Sequence, residues 1–272
     1  MAKIRDGQTP AEYFGEQYRR RQSPVMRKIE RVVCGCDYGG TSWTSRAEAE
    51  AIGRLLGLRP GKRLLELGAG SGWPGLFFAR TTGCAVTLVD IPLEAIRIAA
   101  ERARYEQLDH VCSFTLADGA SLPFSDNSFD AVSHSDVLCC LEAKSSVLGA
   151  CRQVIRPGGR MVFSVISIAP DLSSDDHRLA AEAGPPFVES AVDYPAMLRQ
   201  TGWTITDCVD LTAEYGQAHR RLLRELATHA DELRELLGTA PYSEHLALKR
   251  ATVKAIEGRL LRRELFIVEA PG

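Results

Sequence analysis

The chain has 272 residues, 45% of them hydrophobic, with 33 Lys and Arg against 35 Asp and Glu. That length and apolar content supply one sizeable core with room for an appended lid, and do not supply two full domains. The net charge is −2, and the basic clusters at Arg19 to Arg21, Arg220-Arg221 and Arg262-Arg263 are scattered among acids, which speaks against a nucleic-acid partner.

The opening octet, Met1 to Gln8, has no apolar run of signal-peptide type, and no later run is long enough to span a bilayer. The expectation is a cytoplasmic protein without a membrane partner. Of the eight cysteines, Cys84, Cys112 and Cys208 lie in strand-like apolar runs and Cys151 in a helical one, as reduced core residues do. Cys34-x-Cys36 and Cys139-Cys140 lack the spaced second pair, or the His-x-x-x-His, that a metal site requires, so no metal is expected.

In chain order, Thr9-Pro10-Ala11-Glu12 is a helix start, with Thr as N-cap and Glu placed to close a capping box. A polar helix to about Gln22 follows. Ser23-Pro24 restarts the pattern, and Val25, Met26, Ile29, Val32 and Val33 form a helical stripe up to a glycine-rich loop, Gly35 to Gly40. Ser45-x-x-Glu48 opens a further helix through Leu56. From Arg63 strands and helices alternate, with strands near 63–67, 85–90, 111–116, 129–135 and 160–168, the signature of a parallel sheet with right-handed crossovers. A helix from Tyr194 to Thr201 leads into a strand at Trp203 to Val209. Two long helical stretches, about 213–237 and 241–257, precede a last strand at Leu265 to Val268. In the first of these, Leu222, Leu223, Leu226, Leu233, Leu236 and Leu237 recur at helical spacing.

The strand Leu64-Leu65-Glu66-Leu67 runs straight into Gly68-Ala69-Gly70-Ser71-Gly72. Glycine there lets the backbone adopt positive φ and approach a ligand closely, and the helix that begins near Trp73-Pro74 aims its free N–H groups at the turn. This is a nucleotide cradle. Trp73 occupies the place of the third glycine in the dinucleotide fingerprint, and Glu66 precedes the first glycine by two, which disfavours NAD. The next strand ends in Asp90, where a carboxylate can accept both ribose hydroxyls, or simply begin a turn.

These residues resemble the first motifs of the class I S-adenosylmethionine-dependent methyltransferases. Leu116 to Phe124, Asn127 to Val132 and Arg156-Pro157-Gly158-Gly159-Arg160 resemble the later ones in order. The resemblance implies a doubly wound, mostly parallel seven-stranded α/β sheet with its last strand antiparallel. It also implies a helical lid over residues 1–45 and a methyltransferase domain over 46–272 with a helical insert at 213–257. It assigns the cofactor S-adenosylmethionine to Glu66, Gly68, Ala69, Gly70, Asp90, Ile91, Asp118, Gly119, Ser133 and Ser135, with Ile91 on an adenine face and Asp118 at the adenine amino group. An Asx-turn is the plain alternative for Asp118.

The stretch Ser133-His134-Ser135-Asp136-Val137-Leu138-Cys139-Cys140-Leu141 is similar to a segment of small-amine N-methyltransferases acting on phosphoethanolamine or glycine derivatives. Asp136 takes the place of their acid and Cys140 that of a frequent His. Asp136 and His134 are therefore the catalytic candidates, against a helix cap for the first and a structural histidine for the second. Tyr38 to Ser45 resembles the loop over the methionine end of the cofactor, with Trp43 and Thr44 at the matching positions. Tyr18, or Tyr13, would be the lid tyrosine, which makes Tyr18 a third catalytic candidate.

The expected activity is methyl transfer to an amine or hydroxyl of a small-molecule metabolite, with the two helical additions choosing the substrate. The alternatives are C-methylation of a quinone or lipid-like ring, or a cofactor-binding regulatory partner without catalysis. A homodimer is left open.

Overall fold

The computed structural model describes residues 7–272; residues 1–6, where the expected lid begins, lie outside the described residues. Seven strands form one sheet: β1 (Arg63–Leu67), β2 (Ala85–Asp90), β3 (Cys112–Leu116), β4 (Phe129–Ser135), β5 (Ile155–Ile168), β6 (Thr204–Asp210) and β7 (Leu261–Glu269). Their order is β3-β2-β1-β4-β5-β7-β6, with β1 to β5 parallel and β7 antiparallel to both β5 and β6. The chain winds outward in one direction from β1 and in the other from β4. The switch point between them opens a crevice at the carboxyl ends of the strands, the place where such sheets take ligands.

Side-chain alternation along the strands builds two cores. Leu64, Val86, Leu88 and Ile267 point into one, under α2 (Pro24–Cys34), α3 (Arg46–Leu55), α4 (Gly75–Thr82), α5 (Leu93–Tyr105) and α9 (Thr212–Thr228). Leu65, Leu67, Phe163 and Val268 point into the other, under α6 (Lys144–Val154), α7 (Ser174–Ala183) and α8 (Tyr194–Gln200). Leu64, Leu65 and Phe163 are fully buried. Each such side chain contributes about 1.5–3 kcal/mol relative to exposure, so the sheet is a rigid platform for the loops at its ends.

The expected N-terminal helix, α1 (Pro10–Arg21), carries its Thr9–Glu12 capping box, and Ser45–Glu48 caps α3 in the same way. In α2 the buried stripe is Val25, Ile29 and Val33, with Glu30 beside it; Val32, at the outer edge, is exposed instead of packed. Strand β5 starts at Ile155, before the expected Arg160, because Phe129 pairs with Ile155 ahead of a register shift that brings Ala131 opposite Arg160. The stretch expected as 213–237 divides at His229 into α9 and α10 (Ala230–Leu237), and α11 (Thr239–Glu257) follows. Leu222, Leu226 and Leu233 are buried there, whereas Leu236 is exposed. Cys208 is also exposed, since β6 is an edge strand, and all eight cysteines are free thiols. Helix α7 was not anticipated, although Ser173 caps it with a bond from the Asp176 N–H. No helix among the described residues is long and apolar enough to cross a membrane.

Candidate functional site

A cavity of about 540 Å³ sits at the carboxyl ends of β1, β2 and β4. Its floor is the turn after β1. Gly68 has φ +63° and Gly70 φ +52°; an added Cβ would come within 2.4 Å of Val137 at the first and 2.8 Å of Tyr18 at the second. Any side chain would thus be strained and would fill space that the cavity needs.

Asp90 closes the turn from the end of β2. Its Oδ2 accepts the Gly70 N–H at 2.7 Å and its Oδ1 accepts the Ile91 N–H at 2.8 Å. Burial pushes this carboxyl up to about 6, against the pull of the two N–H donors. Asp118 and Gly119 stand across the cavity after β3. The Asp118 Oδ1 also accepts the Ala120 N–H at 2.9 Å, so the residue makes its Asx-turn and faces the cavity at once.

The roof comes from α1 and the glycine-rich loop. Phe14 and Tyr18 project from α1, and Gly40, Thr41 and Ser42 from the loop. The Tyr18 Oη lies 3.3 Å from the Thr41 Oγ1, above Gly70. Burial, and then the Asp90 charge, hold the Tyr18 phenol above its ordinary value, so it stays protonated at neutral pH. The loop is fixed from behind by Glu30, whose carboxylate accepts the Gly39 N–H at 2.5 Å and the Gly40 N–H at 3.0 Å. The far wall is Val137, Cys140, Leu141, Glu142 and Phe187.

The cavity therefore gathers Tyr18, Gly68, Gly70, Asp90, Ile91, Asp118, Gly119, Ser135 and Asp136 from the residues singled out in the sequence. Six others do not reach it. Glu66 and Ser133 are a buried pair beneath the glycine turn, the hydroxyl donating to the carboxylate. Burial pushes the Glu66 carboxyl up to about 8. Ala69 is fully buried, its N–H donating to the Val89 carbonyl.

His134 points to the opposite side of β4, stacks on Phe163 with ring centroids 4.5 Å apart, and has no hydrogen bond to either ring nitrogen. Burial lowers it to about 3. A neutral ring sealed in an apolar core cannot serve as the base expected of it.

Trp43 and Thr44 are one turn of chain past the roof. Trp43 faces away from the cavity, stacked 3.7 Å from His219 of α9 with the Lys249 ammonium over its ring. Thr44 is fully buried and its carbonyl accepts from the Trp73 indole. From the same segment, Gly40, Thr41 and Ser42 line the cavity instead.

Asp136 is neither a helix cap nor a free base. Its φ is +57°, and its carboxylate is taken up by the Arg263 Nε at 2.9 Å, the Trp43 N–H at 3.0 Å and the Ser164 hydroxyl at 3.0 Å, with the Ser42 hydroxyl at 3.4 Å. Phe14 and Phe187 escaped the sequence reading, because an aromatic on a helix or loop signals packing unless its neighbours are known. Helices α9 to α11 do not line the cavity and pack near α2, α7 and β7.

A strand, a glycine turn, and two acids at the ends of the next two strands make a nucleoside site, and the family model of the methyltransferase domain matches residues 65–163, the segment that supplies them. Residues 65–163 thus resemble a methyltransferase domain, and the seven-stranded sheet around them has the fold of such enzymes. Among curated proteins, it is 28% identical over 171 residues to methyltransferase GfsG of Streptomyces halstedii, covering 61% of each chain. It is 31% identical over 157 residues to 27-O-demethylrifamycin SV methyltransferase of Amycolatopsis mediterranei, covering 56% of this chain and 58% of that one. The match thus spans about six-tenths of the length of these two relatives.

Among solved structures, the [4+2]-cyclase SpnF superposes with a TM-score of 0.75 at 22% identity, over 100% of this chain and 99% of that one. A Haemonchus contortus phosphoethanolamine N-methyltransferase in complex with S-adenosylhomocysteine gives 0.79 at 16% identity, over 97% and 60%. These likenesses concern the fold. The cavity's lining suits S-adenosylmethionine: Asp90 would offer its carboxylate to the ribose hydroxyls, Ile91 an apolar face to the adenine, and the side-chain-free turn at Gly68 and Gly70 would leave room for the amino-acid end.

Proposed function

We propose that the protein is an S-adenosylmethionine-dependent methyltransferase whose acceptor is a hydroxyl group on a largely apolar small molecule. The observation that carries this reading is the wall beyond the cofactor's end. It is built from Phe14, Val137, Leu141, Val147 and Phe187, with Glu142 the only carboxylate among the described residues there that is not already engaged, and that residue is exposed. A small cationic amine calls for buried carboxylates, whereas an apolar metabolite gains about 25 cal/mol for each Å² it buries there. The second relative, named for O-demethylrifamycin, supports a hydroxyl acceptor.

The cofactor's sulfonium supplies an activated methyl group. The protein's part is to hold the acceptor in line and to exclude water. Tyr18, protonated, shares a hydrogen bond with the Thr41 hydroxyl across the roof. Among the described residues of the wall, Glu142 is the carboxylate open to the hydroxyl proton. Helix α1 serves as a lid, since Phe14 and Tyr18 hang from it over the cradle; within the expected 1–45 lid, the glycine-rich loop is anchored by Glu30.

The test is incubation with methyl-labelled cofactor and two acceptor panels, hydroxylated macrocyclic or polyketide-type compounds and small amines of the phosphoethanolamine and sarcosine kind. Label on oxygen of the apolar panel is expected; label on amines alone overturns the reading. A second reading has one observation in its favour, the end-to-end superposition on SpnF. Conversion of an unsaturated acceptor into an isomer of unchanged mass, without methyl transfer, would select it.

A further inference from the structure

Arg263 is 1% exposed, lies on β7, and does not touch the cavity. Its guanidinium nevertheless reaches four groups from four elements. Nε donates to Asp136 at 2.9 Å, Nη1 to the Glu48 carboxylate in the first turn of α3, and Nη2 to the Ser164 hydroxyl of β5 at 3.1 Å and the Thr44 hydroxyl at 3.3 Å. Burial works against the charge, but Asp136 and then Glu48 more than offset it and hold the guanidinium above its ordinary pKa. The cluster has two carboxylates for one cation.

A buried ion cluster is weak support for stability, because an apolar replacement often does as well; what it does specify is position. Here the positions matter. Asp136 has a left-handed backbone, which a non-glycine residue holds only where its surroundings over-determine it. Its Oδ2 accepts the Trp43 N–H, so the carboxylate that Arg263 orients also pins the segment carrying Thr41 and Ser42 to the end of β4. Thr44 and Glu48 tie the other end of that segment to the same guanidinium.

We infer that Arg263 is a positioning residue for the cofactor site, clamping the 40–44 roof segment onto Asp136 from outside the cavity. The clamp itself is independent of the proposed reaction; only its effect on cofactor affinity rests on that reading.

The test uses Arg263→Lys, which keeps the charge and loses the planar fork, and Glu48→Gln, which keeps an acceptor for the α3 cap and removes one arm's charge. In the unliganded protein, hydrogen exchange of the amides at 41–44 should accelerate in both variants. Titration with S-adenosylhomocysteine should show affinity reduced roughly tenfold in Arg263→Lys, the loss of one charge-assisted hydrogen bond, and by less in Glu48→Gln. A lowered melting temperature with wild-type exchange at 41–44 and wild-type affinity would make the cluster merely structural and overturn the proposal. Should Arg263→Lys fail to fold, Glu48→Gln decides by the same two readings. Absence of S-adenosylhomocysteine binding by the wild-type protein would refute the functional reading, while the exchange measurement would still judge the clamp.

Discussion

Glu66→Gln should make the protein more stable at neutral pH, by an amount that depends on pH in a calculable way. Glu66 is 1% exposed, and among the described residues its hydrogen-bond donor is the Ser133 hydroxyl. Its carboxyl is pushed from 4.5 up to about 8 by burial. A folded-state pKa above the unfolded one means that the folded chain holds the proton more tightly. The resulting stabilisation is fully present below pH 4.5 and is lost as pH rises toward about 8. Each pH unit in that window costs about 1.4 kcal/mol, and the whole window costs roughly 3–5 kcal/mol. Glutamine has the same shape and does not titrate. The variant should match the wild type near the acid end and gain on it steadily toward pH 8. Asp90 titrates in part of the same range, but identically in both proteins, so the difference isolates Glu66. Urea midpoints of the two proteins across this range are the assay. Parallel profiles would mean that Glu66 is ionised in the folded state, and the argument from burial would fail.

Asp90→Ala should weaken S-adenosylhomocysteine binding by about 1.5–3 kcal/mol by calorimetry, since it removes a charged acceptor from the ribose position. In the wild type that affinity should decline as pH falls below about 6, where the Asp90 carboxyl takes up a proton. His134→Phe should keep its methyl-transfer rate and its melting temperature, because an unpartnered neutral ring on Phe163 is replaced by another ring; a large loss of turnover would return His134 to the chemistry.

The glycine turn, Asp90 and the limits of β1, β2 and β4 were legible because they depend on local rules. An apolar run, a side-chain-free turn and an acid at a strand end each say what they are within a few residues. What was misread depended on direction or on distance. Trp43 lies within a residue of the cavity-lining Ser42, yet its ring turns outward to His219, a contact no spacing encodes. His134 and Ser135 are adjacent on β4, and alternation places only Ser135 at the cavity. Asp136 does line the cavity, but its partner Arg263 is 127 residues away and no local spacing announces it. Glu48 was read as half of a capping box, which it is, and its second oxygen's bond to Arg263 spans 215 residues.

The central claim is that the cavity over Gly68 and Gly70, closed by Asp90, is an S-adenosylmethionine site. Calorimetric titration of the wild-type protein with S-adenosylhomocysteine tests it most directly. A single site of about micromolar affinity, near −8 kcal/mol, is expected. No binding of S-adenosylhomocysteine or S-adenosylmethionine, together with binding of NAD, would contradict it.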